Sequence, residues 1–212
     1  MGIPVLILGE SGSGKSTSLR NFEPEEISIF NVAGKPLPFR KKIPKVNTSN
    51  YLTIQDGLTK SVKKSLVIDD SQYLLAFAMF DRAKETGYGK FTDIALDFRN
   101  LIDFVIKQLP DDVIVYFLHH IETTDNGKIK AKTSGKMLDN QLTVEGLFSI
   151  VLLCVADGNV HKFITQSDGY STCKSPMEMF DIEMDNDLKI VDTKIREYWE
   201  LAPLTNKKGT DK

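Results

Sequence analysis

The run Gly9-Glu10-Ser11-Gly12-Ser13-Gly14-Lys15-Ser16 constrains this chain more than any other stretch. It follows an apolar segment, Ile3-Pro4-Val5-Leu6-Ile7-Leu8, and precedes a short helical segment, Thr17 to Asn21. Strand, glycine turn and helix in that order, with the pattern G-x-x-x-x-G-K-[ST] met in full, read as a P-loop. The chemistry demands these residue types. A triphosphate lies against backbone N–H groups, so glycines stand where a Cβ would block the approach. The helix that follows turns its N-terminal dipole toward the anion. The predicted phosphate contacts are Gly9, Ser11, Gly12, Ser13, Gly14, Lys15, Ser16 and Thr17. Lys15 reaches the β- and γ-phosphates, and Ser16 places its hydroxyl on Mg2+.

At 212 residues the chain has the length of one domain with a sizeable core, expected over 1–204, with a disordered tail over 205–212. Its apolar fraction of 41% and charged fraction of 26% are those of a soluble globular protein, and no apolar run approaches a membrane span. The first strand begins too early to leave room for a signal peptide, so the expected location is cytoplasmic, with no membrane partner. Cys154 and Cys173 lack metal-ligand spacing and read as free thiols of a reducing compartment. The net charge of −2 offers nucleic acid no global attraction, so any DNA contact falls to local lysine clusters.

Ile27 to Val32 reads as a second strand. A long loop, 33–50, follows with Pro36, Pro38 and Pro44 and the cations Lys35, Arg40, Lys41, Lys42 and Lys45. Loops of this length are usually functional or mobile, and its charges read equally as a solvated face or a phosphate track. Thr48-Ser49-Asn50 offers helix caps, and Ile54, Leu58 and Val62 form one apolar face. Leu66-Val67-Ile68-Asp69-Asp70 is an apolar strand ending in carboxylates, the Walker B pattern. Such a strand is expected beside the P-loop strand, with Asp69 holding Mg2+ through its waters. Asp70 has two readings, polarising the attacking water or capping the next helix.

Helices are expected over 72–86 and from Thr92 or Asp93 to Leu109, separated by Gly87 and a turn at Tyr88-Gly89-Lys90-Phe91. Val113 to Leu118 is a continuous apolar run, as buried parallel strands are, and it ends in His119-His120. A polar side chain there is placed to sense the γ-phosphate. A metal site is disfavoured because adjacent strand residues face opposite ways. Lys128, Lys130 and Lys132 fall at period two, so an extended segment puts them on one face, with Lys136 following. They read as a DNA-backbone contact or as a solvated hairpin. Further on come a helix over 138–147, a hairpin of 148–156 with 160–165, and a terminal helix over 188–201 containing Trp199.

Taken in order, these segments resemble the small RecA-like P-loop ATPases encoded by phages and prophages, some of which act in single-strand annealing or recombination. The resemblance spans nearly the whole chain. Besides the P-loop and the Leu66–Leu74 segment, it rests on Asn31-Val32-Ala33-Gly34-Lys35-Pro36-Leu37-Pro38, Tyr116-Phe117-Leu118-His119-His120-Ile121-Glu122, Thr133-Ser134-Gly135-Lys136-Met137-Leu138-Asp139, Lys174-Ser175-Pro176-Met177 and Asn186-Asp187-Leu188. It implies an α/β, RecA-like fold: a mostly parallel sheet, helices on both faces and an antiparallel edge near Val160. The nucleotide should sit at the carboxyl ends of the strands. It also implies ring or filament assembly, with Lys136 placed to reach a neighbour's γ-phosphate. One departure stands out. Larger RecA-type proteins end the second strand in a catalytic glutamate, and Ile27 to Val32 ends without an acid, so either Asp70 takes the role or hydrolysis is slow.

The resulting expectation is an ATPase with Mg2+ that acts on single-stranded DNA in annealing or recombination. Its catalytic set is Lys15, Asp70, His120 and Lys136, and its DNA contacts are Lys41, Lys42, Lys128, Lys130 and Lys132. Phage single-strand-binding or replication proteins are possible partners. Two alternatives stand beside it. One is a nucleotide switch or assembly ATPase without direct DNA action. The other is a nucleotide kinase, which the scatter of Arg20, Arg40, Arg82, Arg99 and Arg196 disfavours, since phosphoryl clamps use clustered arginines. GTP is disfavoured because no Asn-Lys-x-Asp segment follows a strand.

Overall fold

Continuous apolar runs build the middle of this fold, because a strand covered on both faces needs no polar alternation. The computed structural model describes residues 1–133 and 143–204. Its strands are β1 (Ile3–Gly9), β2 (Ile27–Asn31), β3 (Lys45–Asn47), β4 (Ser65–Asp69), β5 (Ile114–Thr123), β6 (Ile129–Ala131), β7 (Ile150–Asp157), β8 (Val160–Ile164) and β9 (Glu183–Asp185). They lie in the order β3-β2-β4-β5-β1-β7-β8-β9, with β6 added to β5. From β3 to β7 all neighbours run parallel. β8 and β9 are antiparallel at one edge, and β6 returns antiparallel along the end of β5.

Helices cover both faces. α1 (Tyr51–Lys60), α2 (Gln72–Asp81) and α3 (Gly89–Gln108) pack over Leu6, Leu8, Val115 and Phe117. α4 (Leu188–Tyr198) and the 3₁₀ turn Ser16–Asn21 pack over Val5, Ile7, Tyr116 and Leu118. The alternation of β1 and β5 thus feeds two cores from one sheet. Among the described residues no helix is long and apolar enough to cross a membrane.

Several expectations need correction. β4 does not adjoin β1; β5 pairs with both and separates them. β5 is the longest strand, ten residues with 114–119 buried, and takes the centre that three similar apolar strands compete for. The 33–50 loop contains β3. α1 stops at Lys60, leaving Val62 90% exposed, because Ser61 turns extended and the chain heads into β4. α2 ends at Asp81, five residues early, and α3 begins at Gly89, so the expected turn at Tyr88–Phe91 opens a helix instead. β9 falls in the segment between the expected hairpin and the terminal helix, where no strand is expected. Trp199 caps α4 from just outside it. Of the helix expected over 138–147, residues 144–147 form a 3₁₀ turn, and 138–142 lie outside the described residues, as does the 205–212 tail.

Gly57 shows how close α1 comes to the sheet. A Cβ there would sit 2.5 Å from Phe30 Cε1 and 2.7 Å from Cζ. Alanine in a helix interior ordinarily gains about 1 kcal/mol over glycine, whereas overpacking a core costs about 1–3 kcal/mol. Phe30 is 4% exposed and packed in the core, so the clash is expected to dominate. Gly57→Ala is expected to lower unfolding stability in urea by about 1–2 kcal/mol; a stabilised variant would show that the ring moves aside at no expense.

Candidate functional site

Parallel strands bring their carboxyl ends to one edge, and the polar residues that end them meet there. Gly9 pairs with His120, Leu8 with His119, and Asn31 with Asp69. The glycine loop leaves β1 at this edge. Gly12 (φ +83°) and Gly14 (φ +103°) adopt the left-handed backbone that glycine takes without penalty. Among the described residues, no acceptor takes the backbone N–H of Gly12, Gly14 or Lys15. These are donors that a bound anion would satisfy. The helix beyond is a six-residue 3₁₀ turn, too short for a developed macrodipole, so the cradle rests on N–H groups and Lys15 rather than on a helix field.

Lys15 is buried, and its Nζ donates to Gly9 O (2.7 Å) and Glu10 O (2.8 Å). Burial lowers its pKa. The loop's own carbonyls hold the ammonium, and a bound anion could compete with them for its protons. Across the cleft, Ser16 Oγ donates to Asp69 Oδ1 at 2.8 Å. Burial raises the Asp69 carboxyl, and the Ser16 bond opposes that. A hydroxyl and a carboxylate at this spacing fit a hydrated Mg2+, the hydroxyl as a direct ligand and the carboxylate through water. Among the described residues no group of three or more His, Cys, Asp or Glu is placed to hold a metal ion.

Asp70 follows β4 with φ +59°, a left-handed conformation that aspartate tolerates better than most residues. It does not cap α2, whose first residue before Gln72 is Ser71 with no side-chain bond. Instead its two oxygens are shared. His120 Nε2 donates to Oδ1 at 3.2 Å, and Lys35 Nζ donates to Oδ2 at 3.0 Å. Burial pushes the Asp70 carboxyl up, but these two bonds together outweigh it and hold the group below the usual carboxylate range. Gly12, Lys15, Ser16, Lys35, Asp70 and His120 line one cleft of about 220 Å3.

The two histidines part company, as strand alternation requires. His119 is fully buried: its Nε2–H donates to Lys132 O (2.9 Å), which leaves Nδ1 to accept from Ser71 Oγ (2.9 Å). Burial drives its pKa down to about 4. The unfolded chain takes up this proton below about pH 6.5 and the folded one only near pH 4, so the stabilisation is complete above pH 6.5 and drains away as the pH falls toward 4. The loss amounts to about 3 kcal/mol. The stability gap between wild type and His119→Gln is expected to narrow across that window in urea titrations. A gap independent of pH would show that the imidazole is protonated in the fold.

Three residues outside the expected set brace the loop. Cys154 Sγ and His161 Nδ1 both donate to Ser13 O, at 3.0 and 2.8 Å, and Asn186 Nδ2 donates to Cys154 Sγ at 3.0 Å. Burial pushes the Cys154 thiol up to about 11, so it serves as a neutral donor. Neither spacing nor type marks Cys154 and His161 for this role, and Asn186 stands out only within the Asn186-Asp187-Leu188 segment, because β7, β8 and the turn before α4 bring them in from far along the chain. Ser13 Oγ is buried with no hydrogen-bond partner among the described residues.

The lysine clusters are less uniform than their spacing suggests. β6 is extended, with Ala131 buried on one face and Lys128 and Lys132 exposed, but Lys130 pairs with Glu122 at 2.9 Å. Lys41 pairs with Glu23 at 2.8 Å, and Lys42 is exposed. Lys136 lies outside the described residues. No protein-family model matches this chain, and comparison with curated proteins gives no match.

Proposed function

We propose that the chain is a RecA-like P-loop ATPase that binds Mg2+ and ATP at the glycine loop and works on single-stranded DNA, in annealing or strand pairing. The observation that carries the reading is the convergence of Lys15, the Ser16–Asp69 pair and Asp70 on one cleft at the carboxyl ends of parallel strands. Brace and loop supply fixed N–H donors, and fixed donors stabilise developing charge without reorganising. Mg2+ and the triphosphate, when bound, supply the transferable group and neutralise part of its charge. Lys15 would hold the phosphate oxygens. Ser16 and Asp69 would hold the metal and its water. Asp70, steadied by His120, would accept a hydrogen bond from the attacking water and orient it. Asp70 thereby fills the role that the missing acid at the end of β2 leaves open.

The DNA part rests on exposed Lys128 and Lys132, on Lys42, and on the aromatic side chains of Tyr88 and Phe91, which suit a mode of backbone contact plus stacking. Assembly into rings or filaments belongs to the same reading. A second reading, a nucleotide switch serving an assembly without DNA, is favoured by the pairing of Lys41 and Lys130 with carboxylates and by the net charge of −2. A kinase is less favoured. Arg82, Arg99 and Arg196 are tied to carboxylates of their own surroundings and leave no clustered clamp.

ATP turnover with and without single-stranded DNA, at low and moderate salt, separates these readings. Stimulation that weakens with salt, and falls further when Lys128 and Lys132 are reversed to glutamate, supports DNA action. Turnover indifferent to DNA favours the switch. Consumption of ATP only with a nucleotide acceptor revives the kinase.

A further inference from the structure

Lys35 lies in the long loop after β2, where its charge reads from sequence as one more cation of a solvated or DNA-facing stretch. Its placement is more specific than that. We propose that Lys35 is a residue of the phosphate site itself: it pairs with Asp70 while no terminal phosphate is present, and moves onto the terminal phosphate when a nucleoside triphosphate binds. This rests on the nucleotide reading given above.

The main chain at Lys35 is tied down. Asn31 Nδ2 donates to Lys35 O at 2.6 Å, and the Lys45 ammonium donates to the same carbonyl. Asn31 ends β2 and Lys45 begins β3, so the loop is fastened to two neighbouring strands of the sheet. Gly34 takes φ +70° immediately before it, the turn that sends the lysine back over the strand ends. The side chain has no such anchor. It is 58% exposed, and its head is held by Asp70 Oδ2 at 3.0 Å and lies 5.0 Å from the centre of the Tyr73 ring. A fixed root with a movable head differs from an ordinary surface lysine, whose whole stem is free.

The cation has a reason to move. It lines the cleft that Lys15 and Ser16 line, on the side of Asp70. A terminal phosphate offers three acceptor oxygens and more charge than one carboxylate, and an ammonium has three protons to give. Asp70 is not abandoned by the exchange, because His120 remains on its other oxygen. The move would free Oδ2 to meet a water at the same moment that a cation reaches the phosphate. A diphosphate, held by the glycine loop and Lys15, leaves Lys35 on Asp70. The residue would therefore register the difference between substrate and product.

Calorimetric binding of a nonhydrolysable ATP analogue and of ADP, each with Mg2+, tests this in wild type, Lys35→Met and Lys35→Arg. Methionine keeps a flexible unbranched side chain of similar length and removes the charge. The loss of one charge-assisted contact predicts about 10- to 100-fold weaker binding of the triphosphate by Lys35→Met, with ADP changed by less than about threefold. Lys35→Arg should recover most of the triphosphate affinity, and thermal melts should match wild type. Equal losses for both nucleotides, no loss for either, or no recovery by arginine would overturn the assignment. Wild type that binds neither nucleotide would overturn the reading of the whole site, and Lys35 with it. Binding that Lys15→Met destroys and Lys35→Met leaves untouched would overturn Lys35 alone.

Discussion

Lys15→Met is expected to remove ATP turnover while leaving the fold standing. The ammonium sits among the carbonyls of Gly9 and Glu10 and makes no ion pair among the described residues. Its contribution to folding is correspondingly small, since replacing a buried charge by an apolar side chain of similar volume is often neutral. On the proposed function its contribution to chemistry is not small. It is the one buried cation of the loop, and charge that develops on the transferred group would meet it in a site partly screened from water. Removal of a single preorganised donor from such a site lowers turnover by about 100- to 1000-fold. Steady-state hydrolysis measured beside a urea titration checks both halves. Unchanged turnover would mean that the glycine loop is not where the reaction occurs. Lost turnover with a collapsed titration midpoint would mean that the lysine is structural.

The largest effect on stability is expected far from the cleft. Asp192 on α4 is fully buried and accepts from Arg196 Nε (2.5 Å), Ser65 Oγ (2.6 Å) and Tyr116 Oη (2.9 Å). Arg196 spends its other protons on Ser65 Oγ and on the carbonyls of Lys64, Asp112 and Ala202. The pair thus stitches α4 to the amino ends of β4 and β5, beneath the sheet and opposite the glycine loop. Burial raises the Asp192 carboxyl, and Arg196 opposes that first among its partners. Asp192→Ala strands a buried guanidinium with no counter-charge, a change that costs about 3–5 kcal/mol. For a chain of this length the thermal midpoint should drop by roughly 10 °C. A loss below about 1 kcal/mol would show that water enters and solvates Arg196.

Much of this arrangement was legible before any coordinates. Ile3 to Leu8, Leu66 to Asp69 and Val113 to Leu118 announce buried strands by continuity alone. Strand order was not legible. Three runs of equal apolarity carry no label for the centre, and β5 takes it because it is the longest and keeps both faces covered. Short elements escaped as well. β3 and β9 have three residues each, below the length at which periodicity says anything, and they exist because a neighbouring strand offers them hydrogen bonds. Partners such as Cys154 and His161 were invisible for a related reason: their role comes from the sheet edge that delivers them to Ser13, and sequence distance hides that edge.

Asp70 turns a backbone angle into a restriction on what variation this position accepts. With φ at +59°, the position admits glycine, asparagine and aspartate readily and penalises longer or branched side chains by about 1 kcal/mol or more. Glutamate keeps the charge but pays for the handedness and overshoots both His120 and Lys35. In a library selected for folded protein alone, residue 70 should therefore drift toward asparagine and glycine. In one selected for turnover it should remain aspartate, so that the two selections, compared at one position, separate what the chain needs in order to stand from what it needs in order to act.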